Sequence, residues 1–476
     1  MPEGSGVERG DESYGDLHAP QRSEATRAER TVAVCSLGCR ANQEEIECLL
    51  GGLRDRGYRL VPFGAPADLT IVNTCGVTRA GESDARQMIR RAARTRREGR
   101  VVVTGCYAQL APEEAARLGA DLVVGNADKW RLPEILASAE DDPRGCAGIL
   151  FDPDPTASRF LRHGKSASGY RTRAAIKVQD GCDERCTYCV IPALRGRGVS
   201  RDPAEVVDEA RTLVEAGHEE ITLTGIHTAS YAGIGEGERV SLAGLLRRLL
   251  AVPGLGRIRL NSLEPRWVDD ELLQTIAGSP RFCRHLHLPL QSGDAAILKR
   301  MGRPYGPHDY RRVVEAARRA IPGVAIGADV MVGFPGESEE AFGRTLRLLE
   351  EVRPAYLHIF GYSERPRTSA SRLGDPVPRG VAKDRSRALS ILDDGLRRDY
   401  LKRSDGEFHE IRIEGSARRG RPAQGVTDTY IRVSVEGRFP DGERVGVILR
   451  YVDDPRRMAG EIQSGRPPGG DPGAGA

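Results

Sequence analysis

The sequence predicts an α/β protein with an N-terminal doubly wound parallel sheet, a central partial (β/α) barrel and a small C-terminal antiparallel β module. Three observations lead to this prediction. Short apolar segments alternate with amphipathic ones in two series, and a stretch rich in Asp, Pro, Gly and Ser separates the two series. After the second series, apolar and polar residues alternate between Gly and Pro residues. The first pattern is typical of parallel sheets covered by helices, and the last of antiparallel strands.

Length and composition set the outer limits of this prediction. The chain has 476 residues, of which 39% are hydrophobic, so we expect two to four domains with their own cores. Charged residues make up 29% but the net charge is only +3, so any nucleic-acid-binding surface must be local. No segment approaches the ~18 apolar residues of a membrane span, and no signal peptide is recognisable. We therefore expect a cytoplasmic protein whose ten cysteines are reduced, with metal binding or catalysis as their use.

The first series predicts a domain over residues 31–140, after a polar segment, 1–30, that we expect to be disordered. Its strands are expected at 31–37, 69–73, 100–104 and 121–124, and its helices at 42–56, 83–97 and 112–118. Residues 141–170 are interpreted as a linker because of their composition.

The second series predicts a domain over residues 171–401. Its strands are expected at 174–178, 220–224, 257–261, 285–290, 325–332 and 356–360, and its helices at 203–216, 241–250, 307–320, 339–352 and 382–401. Six βα units indicate a partial barrel, whose functional site should lie at the C-terminal ends of the strands. The β module follows at 402–455, with strands at 408–413, 425–435 and 446–452, and a loose Gly/Pro-rich tail is expected at 456–476.

Three cysteines, Cys182, Cys186 and Cys189, stand close together in the loop after the first strand of the second series. Three thiolates are one short of a closed structural zinc site and one short of full cysteine ligation of a cubane iron–sulfur cluster. No fourth cysteine or histidine follows at zinc-knuckle spacing. The spacing favours a cluster with one iron open to a ligand that is not protein, with a zinc knuckle or a ferredoxin-like electron-transfer centre as alternatives.

Three further cysteines, Cys39, Cys75 and Cys106, each follow a strand of the first series. The C-terminal ends of parallel strands share one edge of a sheet, so these cysteines should converge on a second metal cluster. The alternative is three ordinary buried cysteines, since free cysteine is often a core residue. The remaining cysteines are interpreted as structural or incidental: Cys35, Cys48, Cys146 and Cys283.

The chain resembles the radical S-adenosylmethionine (SAM) methylthiotransferase family from about residue 31 to residue 452. Cys-x3-Cys-x2-Cys with Tyr188 before the last cysteine resembles the radical SAM signature, and the strand-end cysteines resemble the N-terminal domain of the methylthiotransferases. The β module resembles a TRAM domain, an RNA-binding barrel. The family has branches that act on isopentenyladenosine in tRNA, on threonylcarbamoyladenosine in tRNA, and on an aspartate of a ribosomal protein. Four segments resemble the second branch, at residues 38–43 (GCRANQ), 86–92 (RQMIRRA), 222–227 (TLTGIH) and 299–305 (KRMGRPY).

The resemblance implies two 4Fe–4S clusters and SAM as cofactors. Cys182, Cys186 and Cys189 would hold the cluster that cleaves SAM, and the resulting radical would take hydrogen from carbon 2 of the target adenine. A second cluster on Cys39, Cys75 and Cys106 would supply the methylthio sulfur. The implied partners are a tRNA anticodon stem-loop, an external electron donor and a sulfur source. The implied contacts to SAM are Tyr188, Gly225, Ser262, Glu264, Gln291, Asp329 and Gly333, for each of which a strand-end cap or turn is the alternative.

Basic and aromatic residues are candidates for RNA contact. Arg86, Arg90 and Arg94 fall on one helix face and could neutralise phosphates, unless they are simply a solvated face. In the β module the candidates are Arg418, Arg419, Tyr430 and Arg432, with Tyr430 equally suited to the barrel core. His285 and His287 share one strand face and could meet substrate or line the barrel as a satisfied pair. A two-cluster electron carrier remains the alternative outside enzymes.

Overall fold

The computed structural model describes residues 30–96, 98–138, 147–157, 159–163, 173–365, 367–415 and 422–463. The predicted disordered segment therefore lies almost wholly outside the described residues, and so do Cys146, Arg418 and Arg419. None of the described helices is long and apolar enough to cross a membrane.

The N-terminal domain is a doubly wound parallel sheet, as predicted. Its elements in chain order are β1 (Thr31–Ser36), α1 (Arg40–Arg54), β2 (Arg59–Val61), β3 (Leu69–Thr74), α2 (Arg79–Thr95), β4 (Arg100–Gly105), α3 (Cys106–Leu110), α4 (Pro112–Arg117), β5 (Leu122–Val124), α5 (Leu132–Ser138) and β6 (Gly148–Leu150). The strand order is β2-β1-β3-β4-β5-β6, and all pairs are parallel. Apolar side chains form a core on each face, with α1 and α5 on one side and α2 and α3 on the other. The order reverses between β1 and β3, where doubly wound sheets bind their ligands.

Strand β6 lies within residues 141–170, which the composition indicated as a linker. Its three residues pair in parallel with β5 at the edge of the sheet. Gly148 and Ile149 are exposed, so the segment lacks the buried apolar run by which a strand is recognised in a sequence.

The central domain carries six parallel strands in a curved, partial barrel. Its elements are β7 (Ala174–Asp180), α6 (Ile191–Arg195), β8 (Val199–Ser200), α7 (Pro203–Glu215), β9 (Glu220–Gly225), β10 (Ala232–Gly235), β11 (Glu238–Ser241), α8 (Leu242–Leu250), β12 (Arg257–Leu260), α9 (Asp270–Ala277), β13 (His285–His287), α10 (Ala295–Arg300), α11 (Pro307–Ala320), β14 (Ala325–Val332), α12 (Glu339–Val352), β15 (Tyr356–Gly361) and α13 (Arg379–Arg403). Parallel strands β12-β9-β7 form one sheet and β13-β14-β15 the other, and a bridge between Ile258 and Phe282 joins the two.

Alternate residues of the barrel strands have opposite character. Ile176, Ile221 and Ile326 belong to the main apolar core, which the strands share with the surrounding helices. Residues of the other parity are largely polar, as at His287 and Asp329. Because successive side chains of a strand point to opposite faces, the inside of the barrel is polar.

The C-terminal module is a closed five-stranded barrel. Its strands are β16 (Phe408–Gly415), β17 (Ala423–Val426), β18 (Arg432–Val435), β19 (Arg444–Arg450) and β20 (Met458–Ile462), in the order β16-β17-β18-β20-β19. The segment predicted as one strand at 425–435 is interrupted by a turn in which Tyr430 has a φ of +69°. β20 lies within the residues predicted as tail, and its pairing with β18 and β19 closes the barrel.

A buried ion network joins the N-terminal domain to the barrel. Glu45 of α1 accepts hydrogen bonds from Lys177 at 2.5 Å, Arg195 at 2.9 Å and Lys129 at 2.5 Å. Asp180 adds a second carboxylate at 3.0 Å from Arg195. Burial opposes ionisation of Glu45, but Arg195, Lys129 and Lys177 hold the pKa of its carboxyl well below the usual range. The three cations come from both domains, so the network fixes how the domains meet.

Candidate functional site: two three-cysteine sites joined by one helix

The loop after β7 carries the first cysteine set and is held by backbone hydrogen bonds. Cys182 donates its N–H to Gly196 O at 3.1 Å, and Thr187 donates its N–H to Met301 O at 2.9 Å. Gly181 starts the loop with a φ of +67°, and a Cβ there would lie 1.9 Å from Arg197 O. Only glycine therefore fits at this position.

The thiols of Cys182, Cys186 and Cys189 face one cavity of about 610 Å³. Burial raises the pKa of the Cys182 thiol to about 12 and that of Cys189 to about 11. Thiols of this kind lose their protons on metal binding, so the set fits a group held by three thiolates. The cavity leaves room for a further ligand. Its wall also includes four basic residues, Arg185, Arg197, Arg367 and Arg372.

Arg303 connects two of the predicted SAM contacts beside this loop. It donates to the Tyr188 hydroxyl at 2.7 Å and to Glu264 at 2.7 Å. Burial raises the pKa of the Glu264 carboxyl, and Arg303 and His227 oppose that shift. Arg303 lies in the segment KRMGRPY, but its role could not be read from the sequence because its partners are 39 and 115 positions away.

Four other predicted SAM contacts lie at or beyond the C-terminal ends of barrel strands. Gly225 ends β9, Ser262 follows β12 and is exposed, and Gln291 follows β13 with a φ of +70°. Gly333 follows β14 with a φ of +76° and donates its N–H to Glu337 at 2.7 Å, within a turn. These positions share the rim of the barrel on which the Cys182–Cys189 loop lies.

The seventh predicted SAM contact, Asp329, lies in the middle of β14 inside the barrel. His287 donates to its carboxylate at 2.8 Å, and His358 lies 3.3 Å from the same oxygen. Burial opposes ionisation, but hydrogen bonds from the two histidines hold the pKa of Asp329 well below its usual range. The hydroxyl of Tyr356 lies between His285 (2.9 Å) and His287 (3.0 Å), so both predicted histidines face the barrel interior.

The second cysteine set lies at the C-terminal edge of the N-terminal sheet. Cys39 follows β1, Cys75 follows β3 and Cys106 follows β4. Gly38 has a φ of +96°, and a Cβ there would lie 2.9 Å from the Cys75 Cβ, so the chain approaches Cys75 closely at this point. The pKa of the Cys75 thiol is raised to about 11, mainly by burial and in smaller part by the nearby thiols of Cys106 and Cys39, while a backbone hydrogen bond opposes the shift. This convergence fits a second group held by three thiolates.

Helix α6 runs from the first set of cysteines to the second. Val190 and Leu194 pack against Cys106, while Val190 directly follows Cys189. Arg195, at the end of α6, lies near enough to Cys106 and Cys39 for their charges to act on it. A second contact joins the same regions, because Arg365 donates to the carbonyl of Gly76 at 2.7 Å, next to Cys75. The two candidate sites therefore belong to one structural unit, which the sequence did not indicate.

The predicted RNA-contact residues divide into paired and exposed ones. Arg86 forms ion pairs with Glu114 at 2.8 Å and Glu82 at 3.4 Å, whereas Arg90 and Arg94 are exposed on α2. Arg432 is exposed at the start of β18.

Tyr430, also a predicted RNA contact, turns toward the central barrel. Its ring stacks on His285 at 4.7 Å between centroids, and its hydroxyl accepts a hydrogen bond from Arg40 at 2.7 Å. The guanidinium of Arg259 lies 5.5 Å from the ring centre. This side chain of the C-terminal module thus contacts both of the other domains.

Comparison with known proteins agrees with this architecture. Two family models match, Radical SAM superfamily over residues 176–349 and Uncharacterized protein family UPF0004 over residues 31–125. The threonylcarbamoyladenosine tRNA methylthiotransferase of Bacillus subtilis is 38% identical over 413 residues, which cover 86% of this chain and 90% of the relative. That of Aquifex aeolicus is 36% identical and covers 88% of this chain and 100% of the relative. The tRNA-2-methylthio-N(6)-dimethylallyladenosine synthase of Geobacter metallireducens is 36% identical, over 86% of this chain and 93% of the relative.

Among solved structures, the radical SAM methyltransferase of Kitasatospora setae with cobalamin and a [4Fe–4S] cluster has a similar fold. The TM-score is 0.53 at 19% identity, over 72% of this chain and 77% of that one. The family's cofactors are SAM and 4Fe–4S clusters, and the residues around both cysteine sets fit such groups. Family models, relatives and fold agree: the chain belongs to the radical SAM methylthiotransferase family, in its threonylcarbamoyladenosine tRNA methylthiotransferase branch.

Proposed function

We propose that this enzyme adds a methylthio group to carbon 2 of N6-threonylcarbamoyladenosine beside the anticodon of tRNA. One observation carries the proposal: two three-cysteine sites are connected through a five-residue helix, α6. Radical generation and sulfur delivery must act on one carbon atom, so the two sites have to be held close together. A single-cluster radical enzyme would have no use for the second site.

The side chains have separate roles in this proposal. Cys182, Cys186 and Cys189 would hold one 4Fe–4S cluster, and Cys39, Cys75 and Cys106 would hold the other. Together with SAM these groups would supply the radical and the sulfur. Arg303 keeps Tyr188 and Glu264 in fixed positions next to the first set, where they line the SAM site. The rim of the barrel around SAM would be formed by four of the remaining predicted contacts, Gly225, Ser262, Gln291 and Gly333. Asp329 lies inside the barrel, and its contact to SAM stays a sequence-based prediction.

The partners follow from the same proposal. Exposed Arg90, Arg94 and Arg432 would contact phosphates of the anticodon stem-loop, while Arg418 and Arg419 stay sequence-based predictions. An external electron donor has to reduce the first cluster, and a sulfur source has to restore the second. A tRNA substrate is consistent with the cytoplasmic location expected from the sequence.

Other substrates of the family are the alternatives. An isopentenyl group is entirely apolar, and the polar barrel interior around His287, Asp329 and His358 favours a polar substituent over it. A ribosomal-protein aspartate would need no RNA contact.

The experiment is nucleoside analysis of tRNA from a strain that lacks this gene. We expect loss of 2-methylthio-N6-threonylcarbamoyladenosine and accumulation of the form without the methylthio group. The wild-type gene should restore the product, Cys75→Ala should not, and Cys283→Ala should, because Cys283 is buried before β13 outside both sets. An unchanged level of the product in the deletion strain would refute the proposal, and loss of the isopentenyl product would favour the first alternative.

A further inference from the structure

Arg40, the first residue of α1, is a half-buried cation that neither cysteine set uses. It directly follows Cys39 in the chain, and its guanidinium reaches the Tyr430 hydroxyl at 2.7 Å. It also lies close enough to Tyr356 and His285 for its charge to act on both. Among the residues that the structure describes, no carboxylate forms an ion pair with Arg40. A guanidinium carries a permanent charge and five N–H donors, so Arg40 has donors left for an anion besides the one bonded to Tyr430.

The face of β15 that begins at Tyr356, a residue near Arg40, is suited to a nucleobase. Tyr356, His358 and Phe360 alternate along one face of β15, and the rings of His358 and Phe360 are 6.4 Å apart. The His358 side chain is 51% exposed and Phe360 is 47% exposed, so this face is accessible. Exposed aromatic faces are platforms on which unstacked bases bind.

We propose that Arg40 binds the carboxylate of the threonylcarbamoyl group and thereby selects this substrate. The inference rests on the proposed function. The target carbon has to approach the second cysteine set, and the Cα atoms of Cys39 and Arg40 are only about 3.8 Å apart along the chain. The threonyl carboxylate is a few bonds from the adenine, within reach of an arginine side chain. Guanidinium and carboxylate form paired, charge-assisted hydrogen bonds, which an isopentenyl group cannot replace.

The test compares two anticodon stem-loops that differ only in this charge, one with threonylcarbamoyladenosine and one with its methyl ester. Dissociation constants are measured by fluorescence anisotropy on reconstituted holoenzyme, with initial rates of methylthiolation alongside. A charged hydrogen bond of the usual strength predicts that wild type prefers the acid by about ten- to a hundredfold. Arg40→Gln should bring this ratio to about one while binding of the ester stays the same. Arg40→Lys keeps the charge and should keep an intermediate ratio, which provides a readout should Arg40→Gln not fold.

Tyr430→Phe is the matched control, since it removes the hydrogen bond to Arg40 but leaves the charge. It should keep the wild-type ratio. Equal loss in Tyr430→Phe and Arg40→Gln would assign the effect to domain packing and overturn the proposal. A wild-type preference for the acid over the ester of about one would also overturn the proposal, even where threonylcarbamoyladenosine is the substrate. In that case, a weaker salt dependence of RNA binding in Arg40→Gln would assign Arg40 to a phosphate contact. Turnover of an isopentenyladenosine stem-loop alone would overturn the proposed function together with this inference.

Discussion

Replacing Glu45 by Gln tests how the two cluster-bearing domains are held together. The side chain of Glu45 is 2% exposed and pairs with Lys129, Lys177 and Arg195. Glutamine has nearly the same volume, so the change removes a charge without leaving a cavity. Lys177 and Arg195 would then keep only the carboxylate of Asp180. Lys129 would lose its carboxylate partner and keep only the side-chain oxygen of Asn73.

Removing one partner of a buried ion pair costs about 3–5 kcal/mol, because the remaining charge is left uncompensated. We expect this loss in the free energy of unfolding and a rise of about a hundredfold to several thousandfold in the population that opens at this interface. The cost should depend on pH. Since the folded pKa of Glu45 is depressed, its stabilisation is present above the unfolded value of about 4.3 and is lost as the pH falls toward the folded value.

Urea unfolding followed by circular dichroism, with hydrogen exchange of α1, measures both effects. Glu113→Gln is the control, because Glu113 is exposed on α4 and its replacement should change stability by less than about 0.5 kcal/mol. The reasoning would be refuted if both variants lost equally little at pH 7. It would also be refuted if the loss in Glu45→Gln stayed constant down to pH 3, since the wild-type advantage must shrink there.

Three further predictions concern the cysteine sites and RNA binding. Cys182→Ala should lower the iron content from about eight to about four per chain and abolish reductive cleavage of SAM, whereas Cys75→Ala should lose the same amount of iron but retain cleavage. Cleavage of SAM by Cys182→Ala would contradict the assignment of the first cysteine set. Arg90→Ala should weaken binding of all tRNA sequences and reduce the slope of log affinity against log salt concentration by about one. Arg86→Ala should leave this slope unchanged because Arg86 is already ion-paired, and equal slopes in the two variants would count against a phosphate contact by Arg90. Gly38→Ala should destabilise the N-terminal domain by about 1–3 kcal/mol in urea unfolding, because φ is +96° and the new Cβ would lie 2.9 Å from that of Cys75; a stable variant with full iron content would argue against this close packing.

The fold was predictable where the periodicity was long. The helices predicted at 307–320 and 339–352 are α11 and α12 with the same bounds, since each has a clear first residue and a regular apolar face. Several short elements were not predicted. Helix α6, strand β6 and the β10–β11 hairpin have five residues or fewer per segment, too few to show a period.

The candidate site divides in the same way. Spacing alone groups Cys182, Cys186 and Cys189, and the geometry of parallel sheets is enough to expect the other three cysteines at one edge. Contacts between distant segments leave no local signal. Arg40 and Tyr430 are 390 positions apart. From the sequence, Tyr430 resembles an RNA-binding residue. In the structure its backbone is left-handed and its side chain bonds to Arg40.

The ion network around Glu45 is better suited to fixing orientation than to adding stability. A well-packed apolar interface of the same volume would hold the domains at least as strongly, because buried ion pairs lose most of their attraction to desolvation. Each oxygen of Glu45 meets its own donor, however, so a rotated domain would leave several buried charges without a partner. Arg195 ends the helix that begins two residues after Cys189, so the network also sets where α6 lies against Cys106. A displacement of about 1 Å can lower the rate of a reaction a hundredfold. Two sites that act on one carbon atom therefore need a fixed relative position more than they need extra stability.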